Sequence, residues 1–289
     1  MEKNIYKNEM LSKYNWFNLG GPADIFFKPE NELNLKEYLI NLSNKKKIHV
    51  LGAGSNTLFR DRGFDGVIIK LGKNFSSIKL LENNKIEVGA GALDKKVSDF
   101  ACQNSLGGFE YLSCIPGSIG GAIRMNSGCY GHDISKNFIS LKAMDLKGKI
   151  SIFDKDQINF FYRGNNLANH FIILSVILAG EPSDKEYIEK KRNLLINKKK
   201  VTQPSKIKTC GSTFKNTSNK KAWELIKKSN CSNLKIGGAK MSDLHCNFFL
   251  NDGSATSQDI ENLINEVRKK VFKQTGVNLE LEIKIIGRK

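Results

Sequence analysis

Ile48-His49-Val50-Leu51-Gly52-Ala53-Gly54-Ser55-Asn56 is a short apolar strand that runs straight into a turn of small residues. Such a turn lets backbone N–H groups approach phosphate oxygens without hindrance from side chains, and Ser55 and Asn56 add polar groups at the same place. It is not the G-x-G-x-x-G fingerprint, because Thr57 stands at the third glycine, and no P-loop lysine follows. Taken alone, the pair Gly52 and Gly54 fits a structural turn as well as a ligand loop. Around it, Gly20-Gly21-Pro22 turns into the apolar run Ala23–Phe27. Leu33, Leu39 and Leu42 suit a helix ending near Lys45-Lys46-Lys47, and Val67-Ile68-Ile69 predicts a third strand.

A second unit repeats the arrangement. Lys85–Val88 alternates as a strand, and a helix from Asp94 puts Val97, Phe100 and Ala101 on one face. The glycine-rich segment 107–131 follows, with Ile115-Pro116-Gly117-Ser118-Ile119-Gly120-Gly121-Ala122 at its centre and Asn126 and Gly128 just behind. So many small residues expose amides and cost folding entropy, which favours a binding loop over an idle turn. Two such loops on two adjacent units point to a dinucleotide held between them. Phe138–Ala143 and Lys149–Phe153 flank Lys147-Gly148 as a hairpin, and Phe171–Leu178 reads as a buried strand.

Pro182-Ser183-Asp184 starts a helix that reaches Lys198-Lys199-Lys200, and Val201–Thr209 is the best linker. Beyond it lie a short helix carrying Ala222, Leu225 and Ile226, and a long one with Ile260, Leu263, Ile264, Val267 and Val271 on a stripe. Thr256 and Asp259 form the capping box of the long helix and Gly276 its end. Leu279–Ile285 alternates strictly as a last strand. The division expected is 1–75, 76–200 and 201–289, an α+β chain.

Hydrophobic residues at 40% and charged residues at 26% suit a soluble globular protein. No apolar stretch is long enough to span a bilayer, and the start lacks a secretory core, which predicts a cytoplasmic protein with no membrane partner. The six cysteines form no C-x-x-C and no zinc spacing, so free thiols and no metal are expected. The net charge of +17 reads either as lysine-rich composition with helix-end capping or as a response to anionic partners.

Three further places carry candidate chemistry. Phe161-Tyr162-Arg163-Gly164-Asn165 offers a guanidinium fork for a carboxylate or phosphate, although one Arg after an aromatic is commonly a surface residue. In Cys210-Gly211-Ser212-Thr213-Phe214-Lys215-Asn216, Ser212 fits a turn, and as a catalyst it would need a base or charge beside it; Cys210 reads as structural. Glu280 and Glu282 share one polar face and are not separable by pattern.

In this order the pieces resemble the UDP-N-acetylenolpyruvoylglucosamine reductase family from Asn15 through Gly287. The matching motifs are LGAGSNTLFRDRGFDGVIIKL (51–71), YLSCIPGSIGGAIRMNSGCYG (111–131), YRGN (162–165), CGSTFKN (210–216) and LELEIKIIG (279–287). The resemblance implies a two-subdomain FAD-binding module of the vanillyl-alcohol-oxidase type plus a smaller α+β substrate-binding domain, whose last strand near 279–286 returns to the active site. It implies the shorter class, without a tyrosine lid. FAD would lie on Gly52, Gly54, Ser55, Asn56, Ile115, Pro116, Gly117, Gly120, Gly121 and Asn126. NADPH would reduce the flavin, which passes hydride to the enolpyruvyl double bond of a UDP-linked amino sugar. Ser212 would then protonate the carbon beside the carboxylate, and Arg163 would pair with that carboxylate. Glu282 would hydrogen-bond or protonate its other side, with Tyr162, Lys215 and Asn216 holding substrate or pyridine nucleotide. The chain would be a monomer. Two rivals are a sugar or alcohol oxidase on the same module, disfavoured because it needs a base rather than a proton donor, and a nucleic-acid-binding protein, for which no recognition motif is present.

Overall fold

A computed structural model of the protein describes residues 4–42, 46–204 and 207–289; Lys45 and residues 205–206 of the linker lie outside them. The chain forms two compact units. Unit 1 is Met1–Ile5, Phe26–Ala53 and Ile68–Lys199, and unit 2 is Tyr6–Ile25, Gly54–Val67 and Lys200–Lys289. Helices and strands mix throughout, as the α+β reading expects. A four-stranded sheet has the order Ile5–Met10, Pro22–Phe27, Phe64–Ile69, Ile48–Val50.

Unit 1 is built on a five-stranded antiparallel sheet. Its order is Ile150–Asp154, Phe138–Met144, Ile172–Ala179, Lys85–Gly89, Ile78–Leu80. The apolar run read as a buried strand takes the centre, and Val176 pairs Leu141 on one side and Val88 on the other. The hairpin turn is fixed by Asp145, whose carboxylate accepts from the N–H groups of Lys147 at 2.8 Å and Lys149 at 2.9 Å. Helix Asp94–Gln103 buries Val97 and Ala101 in the core of unit 1. Helix Glu32–Asn41 forms where expected, but Leu33 is 63% exposed and Leu42 lies past the helix end. Leu35 and Leu39 are the buried pair, since they are four residues apart on one face. Asp184 caps helix Lys185–Thr202 by accepting from Tyr187 N–H at 3.0 Å, and the helix runs through the second lysine run into the linker.

Unit 2 centres on helix Ser257–Thr275, with the stripe Ile260, Leu263, Ile264, Val267 and Val271 fully buried. Its capping box is present, and Gly276 ends it at φ +69°. Asp61 adds a second acid at the same end, accepting from the N–H groups of Ser257 and Gln258 at 2.9 and 3.0 Å. Residues 6–25 and 54–67, which the sequence places with the first subdomain, count with this unit. Phe17, Leu19 and Leu58 complete its core, and strand Thr57–Phe59 pairs in parallel with Lys284–Ile286. That last strand is shorter than the alternation of 279–285 suggests. Residues 280–282 instead bond to the irregular segment 213–215, through Lys215 N–H to Glu280 O and Glu282 N–H to Thr213 O, both 2.9 Å.

Candidate active site

In unit 1 the two glycine loops meet. A Cβ added at Gly52 would lie 2.6 Å from Ser118 Oγ, which places the strand end against the second loop. Among the described residues of unit 1, no acceptor takes the backbone N–H groups of Gly52 and Ala53, nor those of Gly117, Ser118 and Gly121. Unpaired amides in convergent small-residue loops need an anion or water to satisfy them. Lys70, which the sequence reading did not single out, donates to Gly52 O at 2.5 Å. Its ammonium is partly desolvated beside Lys28, which lowers its pKa and leaves a cation poised at the strand end. The signal for it was a lysine closing the apolar run 67–69 on the neighbouring strand.

Other members of the predicted cofactor set do structural work. Gly120 packs on Ala90, where a Cβ would meet that residue's Cβ at 3.0 Å and its carbonyl at 3.1 Å, and its own N–H goes to Ala90 O. Residues 119–125 form a helix inside the segment read as a loop. Asn126 ends that helix at φ +40°, with its side chain accepting from Ser135 N–H and donating to Phe161 O at 3.2 Å. Ile115 and Pro116 precede it, following the helical turn Glu110–Cys114.

Asn126 thereby anchors the hairpin that presents Arg163. Strands Phe160–Phe161 and Gly164–Asn165 are joined by Tyr162 and Arg163, and Asn165 donates to Ile123 O at 2.6 Å. Arg163 sits at φ +59°, a left-handed conformation that costs a side-chain-bearing residue about 1 kcal/mol or more. Glycine would adopt this conformation without that cost. Its guanidinium lies 5.0 Å from the Tyr162 ring centroid, which helps orient the fork.

In unit 2 the segments of Ser212 and Glu282 lie side by side. Glu282 N–H donates to Thr213 O at 2.9 Å, and Phe214 bridges Leu281. Asn56, expected at the cofactor, spends its side-chain amide on Glu282 O at 3.0 Å and accepts from Lys284 N–H at 2.9 Å. Gly54 has φ +72°, and a Cβ there would fall 2.0 Å from Tyr14 O, so only glycine passes. Gly54→Ala is therefore expected to displace this loop, yielding protein with depleted FAD and a lower Tm; full flavin content at wild-type Tm would contradict the assignment.

Asn247 is a residue whose role the sequence did not resolve. Its side chain accepts from Phe214 N–H at 3.0 Å and donates to Phe214 O at 2.9 Å, while its own carbonyl takes Thr213 N–H at 2.8 Å. Three bonds from one buried residue fix the segment after Ser212. Asn247→Ala should cost about 1–3 kcal/mol by leaving buried groups unpaired, and should lower kcat while FAD stays bound, readable from denaturant midpoints beside turnover. Burial pushes the Cys210 thiol up to about 12, in keeping with a structural role. Glu280 is 78% exposed and pairs with Lys215 at 3.4 Å, whereas Glu282 is half-buried, so burial separates the two carboxylates that pattern could not. Asn216 accepts from Ala222 N–H at 3.0 Å and so starts the helix Ala222–Lys228.

Residues 23–154 match the FAD binding domain family, and residues 203–286 match the UDP-N-acetylenolpyruvoylglucosamine reductase, C-terminal domain. The UDP-N-acetylenolpyruvoylglucosamine reductase of Pelagibacter ubique is 47% identical over 279 residues, covering 96% of this chain and 92% of its own. That of Rickettsia massiliae is 45% identical, covering 98% of each. The chain belongs to the UDP-N-acetylenolpyruvoylglucosamine reductase family. The crystal structure of the UDP-N-acetylenolpyruvylglucosamine reductase of Thermus caldophilus superposes with a TM-score of 0.86 at 28% identity, covering 97% of this chain and 98% of the other. The protein is accordingly an FAD-dependent oxidoreductase of the reductase family, on the α+β architecture the motifs imply. The FAD-domain match contains both glycine loops, and the reductase C-terminal match contains Ser212, Lys215, Asn216, Asn247 and Glu282. The open amides of the loops and Lys70 fit the anionic pyrophosphate of a dinucleotide. Among the described residues, no helix is long and apolar enough to cross a membrane.

Proposed function

We propose that this chain reduces UDP-N-acetylglucosamine enolpyruvate to UDP-N-acetylmuramate, a step of peptidoglycan precursor synthesis, with NADPH as reductant. The observation that carries the reading is the pairing of the Ser212 and Glu282 segments in a chain that also bears two amide-lined glycine loops. When bound on the glycine loops, FAD would supply hydride chemistry for the terminal carbon of the enolpyruvyl double bond. Negative charge then builds on the carbon beside the substrate carboxylate. Arg163 holds that carboxylate with its planar fork and stabilises the enolate, an electrostatic role met by a preorganised donor. The Ser212 hydroxyl gives its proton to the carbon, which an ordinary hydroxyl can do when the acceptor is a strongly basic enolate held in place. Glu282 hydrogen-bonds or protonates the far side of the same carboxylate. Tyr162, Lys215 and Asn216 hold substrate or pyridine nucleotide, with Lys215 exchanging its Glu280 partner for the ligand's charge.

In this reading residues 1–75 and 76–200 are the halves of the FAD module and 201–289 the substrate domain. The protein works in the cytoplasm as a monomer without nucleic acid, its basic charge serving to attract two anionic ligands. The test is NADPH consumption on addition of the UDP-linked enolpyruvyl ether. One lactyl ether per NADPH is expected, and NADPH oxidation that ignores the ether would overturn the reading. Glu282→Gln should slow reduction of the ether without changing flavin bleaching by NADPH. Glu280→Gln should leave both steps near wild type, because an exposed ion pair is worth about 0–1 kcal/mol. The reverse ranking in single-turnover rates would assign the role to Glu280.

A further inference from the structure

Cys114 and Cys129 take no part in the reaction above, yet they sit on neighbouring segments and each thiol perturbs the other. The helical turn Glu110–Cys114 packs against strand Gly128–Cys129 within unit 1, and the Cys129 thiol donates into that same turn, to Tyr111 O. Ser113 Oγ lies 3.7 Å from Cys114 Sγ, and Cys129 Sγ lies 3.4 Å from Tyr111 O. Lys199 donates from Nζ to Cys114 O at 2.8 Å, which brings its charge close to both sulfurs, and Arg163 acts electrostatically on Cys129. We propose that Cys114 and Cys129 form a dithiol that a hydroperoxide oxidises to an intrachain disulfide, at the foot of the glycine-rich loop that begins at Ile115.

The local chemistry assigns the two roles. The Cys129 thiol, with Ser113 and the Lys199 ammonium beside Cys114, holds the Cys114 thiol below its usual range despite burial, so Cys114 is the readier thiolate of the two. The neighbouring Cys114 and burial push the Cys129 thiol up, leaving it protonated. Cys114 attacks one peroxide oxygen, the O–O bond breaks, and Cys114 becomes a sulfenic acid while hydroxide leaves and takes a proton. Cys129 sulfur then attacks Cys114 sulfur, the S–S bond forms, the S–O bond breaks, and water departs with the Cys129 proton. Two thiols are oxidised, and hydrogen peroxide, the simplest hydroperoxide and the one these steps are written for, is reduced to two waters. The other four cysteines lack this arrangement. Cys102, Cys210 and Cys231 are buried, and burial raises the thiols of Cys210, Cys231 and Cys246. In a reducing cytosol such a bond is transient, as expected of a reactive rather than a structural pair.

The full-length flavoprotein is treated with one equivalent of hydrogen peroxide and its free thiols are alkylated and mapped. Expected is the loss of two of the six thiols, a Cys114–Cys129 crosslinked peptide under non-reducing conditions, and full recovery with dithiothreitol. Cys129→Ser should stop the sequence halfway, leaving a dimedone-reactive sulfenic acid at Cys114, and Cys114→Ser should leave Cys129 unlabelled. Prior loss of Cys231 and Cys246, equal dimedone labelling of Cys129 in the Cys114→Ser protein, or six alkylatable thiols after peroxide would each overturn the proposal.

Discussion

Ser212→Ala is expected to lower the rate at which reduced enzyme converts the enolpyruvyl ether by about 10²–10⁴-fold, the usual worth of a positioned general acid, and to leave NADPH-driven bleaching of the flavin unchanged. The separation follows from what the hydroxyl touches. Reduction of the flavin asks nothing of a proton donor in unit 2, whereas the substrate enolate cannot collapse to product without one. The backbone around Ser212 is tied by Asn247 and by the 280–282 segment, not by the serine side chain. The variant should therefore fold with a wild-type Tm. Anaerobic single-turnover kinetics of both half-reactions provide the check, and equal loss in both would move Ser212 from proton transfer to structure.

Arg163→Gly separates stability from activity in the opposite direction. Glycine adopts φ near +59° without the penalty borne by an arginine, so the substitution should stabilise the protein by about 1 kcal/mol. It also deletes the fork proposed to hold the substrate carboxylate, and loss of one preorganised charge-stabilising group typically costs about 10²–10³ in rate. A denaturation midpoint that rises while substrate turnover collapses is the signature of strain retained for function. A midpoint that falls, with turnover intact, would make Arg163 a structural surface residue. Arg163→Lys should recover little, because an ammonium cannot reproduce two parallel hydrogen bonds to a carboxylate.

Much of the fold was legible because strong periodic signals are local. The capping box at Thr256, the stripe of the long helix and the apolar run 171–178 each specify an element without help from distant residues. What pattern could not show is set by tertiary partners. Helix Ile119–Met125 lay hidden among glycines that propensity counts against helix, and it packs Gly120 closely on Ala90, a contact between distant residues that no local pattern shows. The alternating run 279–285 looks like one strand, but the neighbouring segment 213–215 diverts its first half. At the site, glycines marked the loops, yet Asn56 and Asn126 proved to be braces for Glu282 and for the Arg163 hairpin. Asn247 and Lys70 were silent because one asparagine or lysine declares nothing until its hydrogen bonds are seen.

The central claim is that reduced flavin in this protein hands its electrons to an enolpyruvyl double bond. Anaerobic double-mixing stopped flow tests it: NADPH first bleaches the flavin, and the UDP-linked enolpyruvyl ether is then added. The visible absorbance should return within one turnover as the lactyl ether forms. Flavin that stays bleached until oxygen is admitted, or that is bleached by a sugar or alcohol in place of NADPH, would contradict the account.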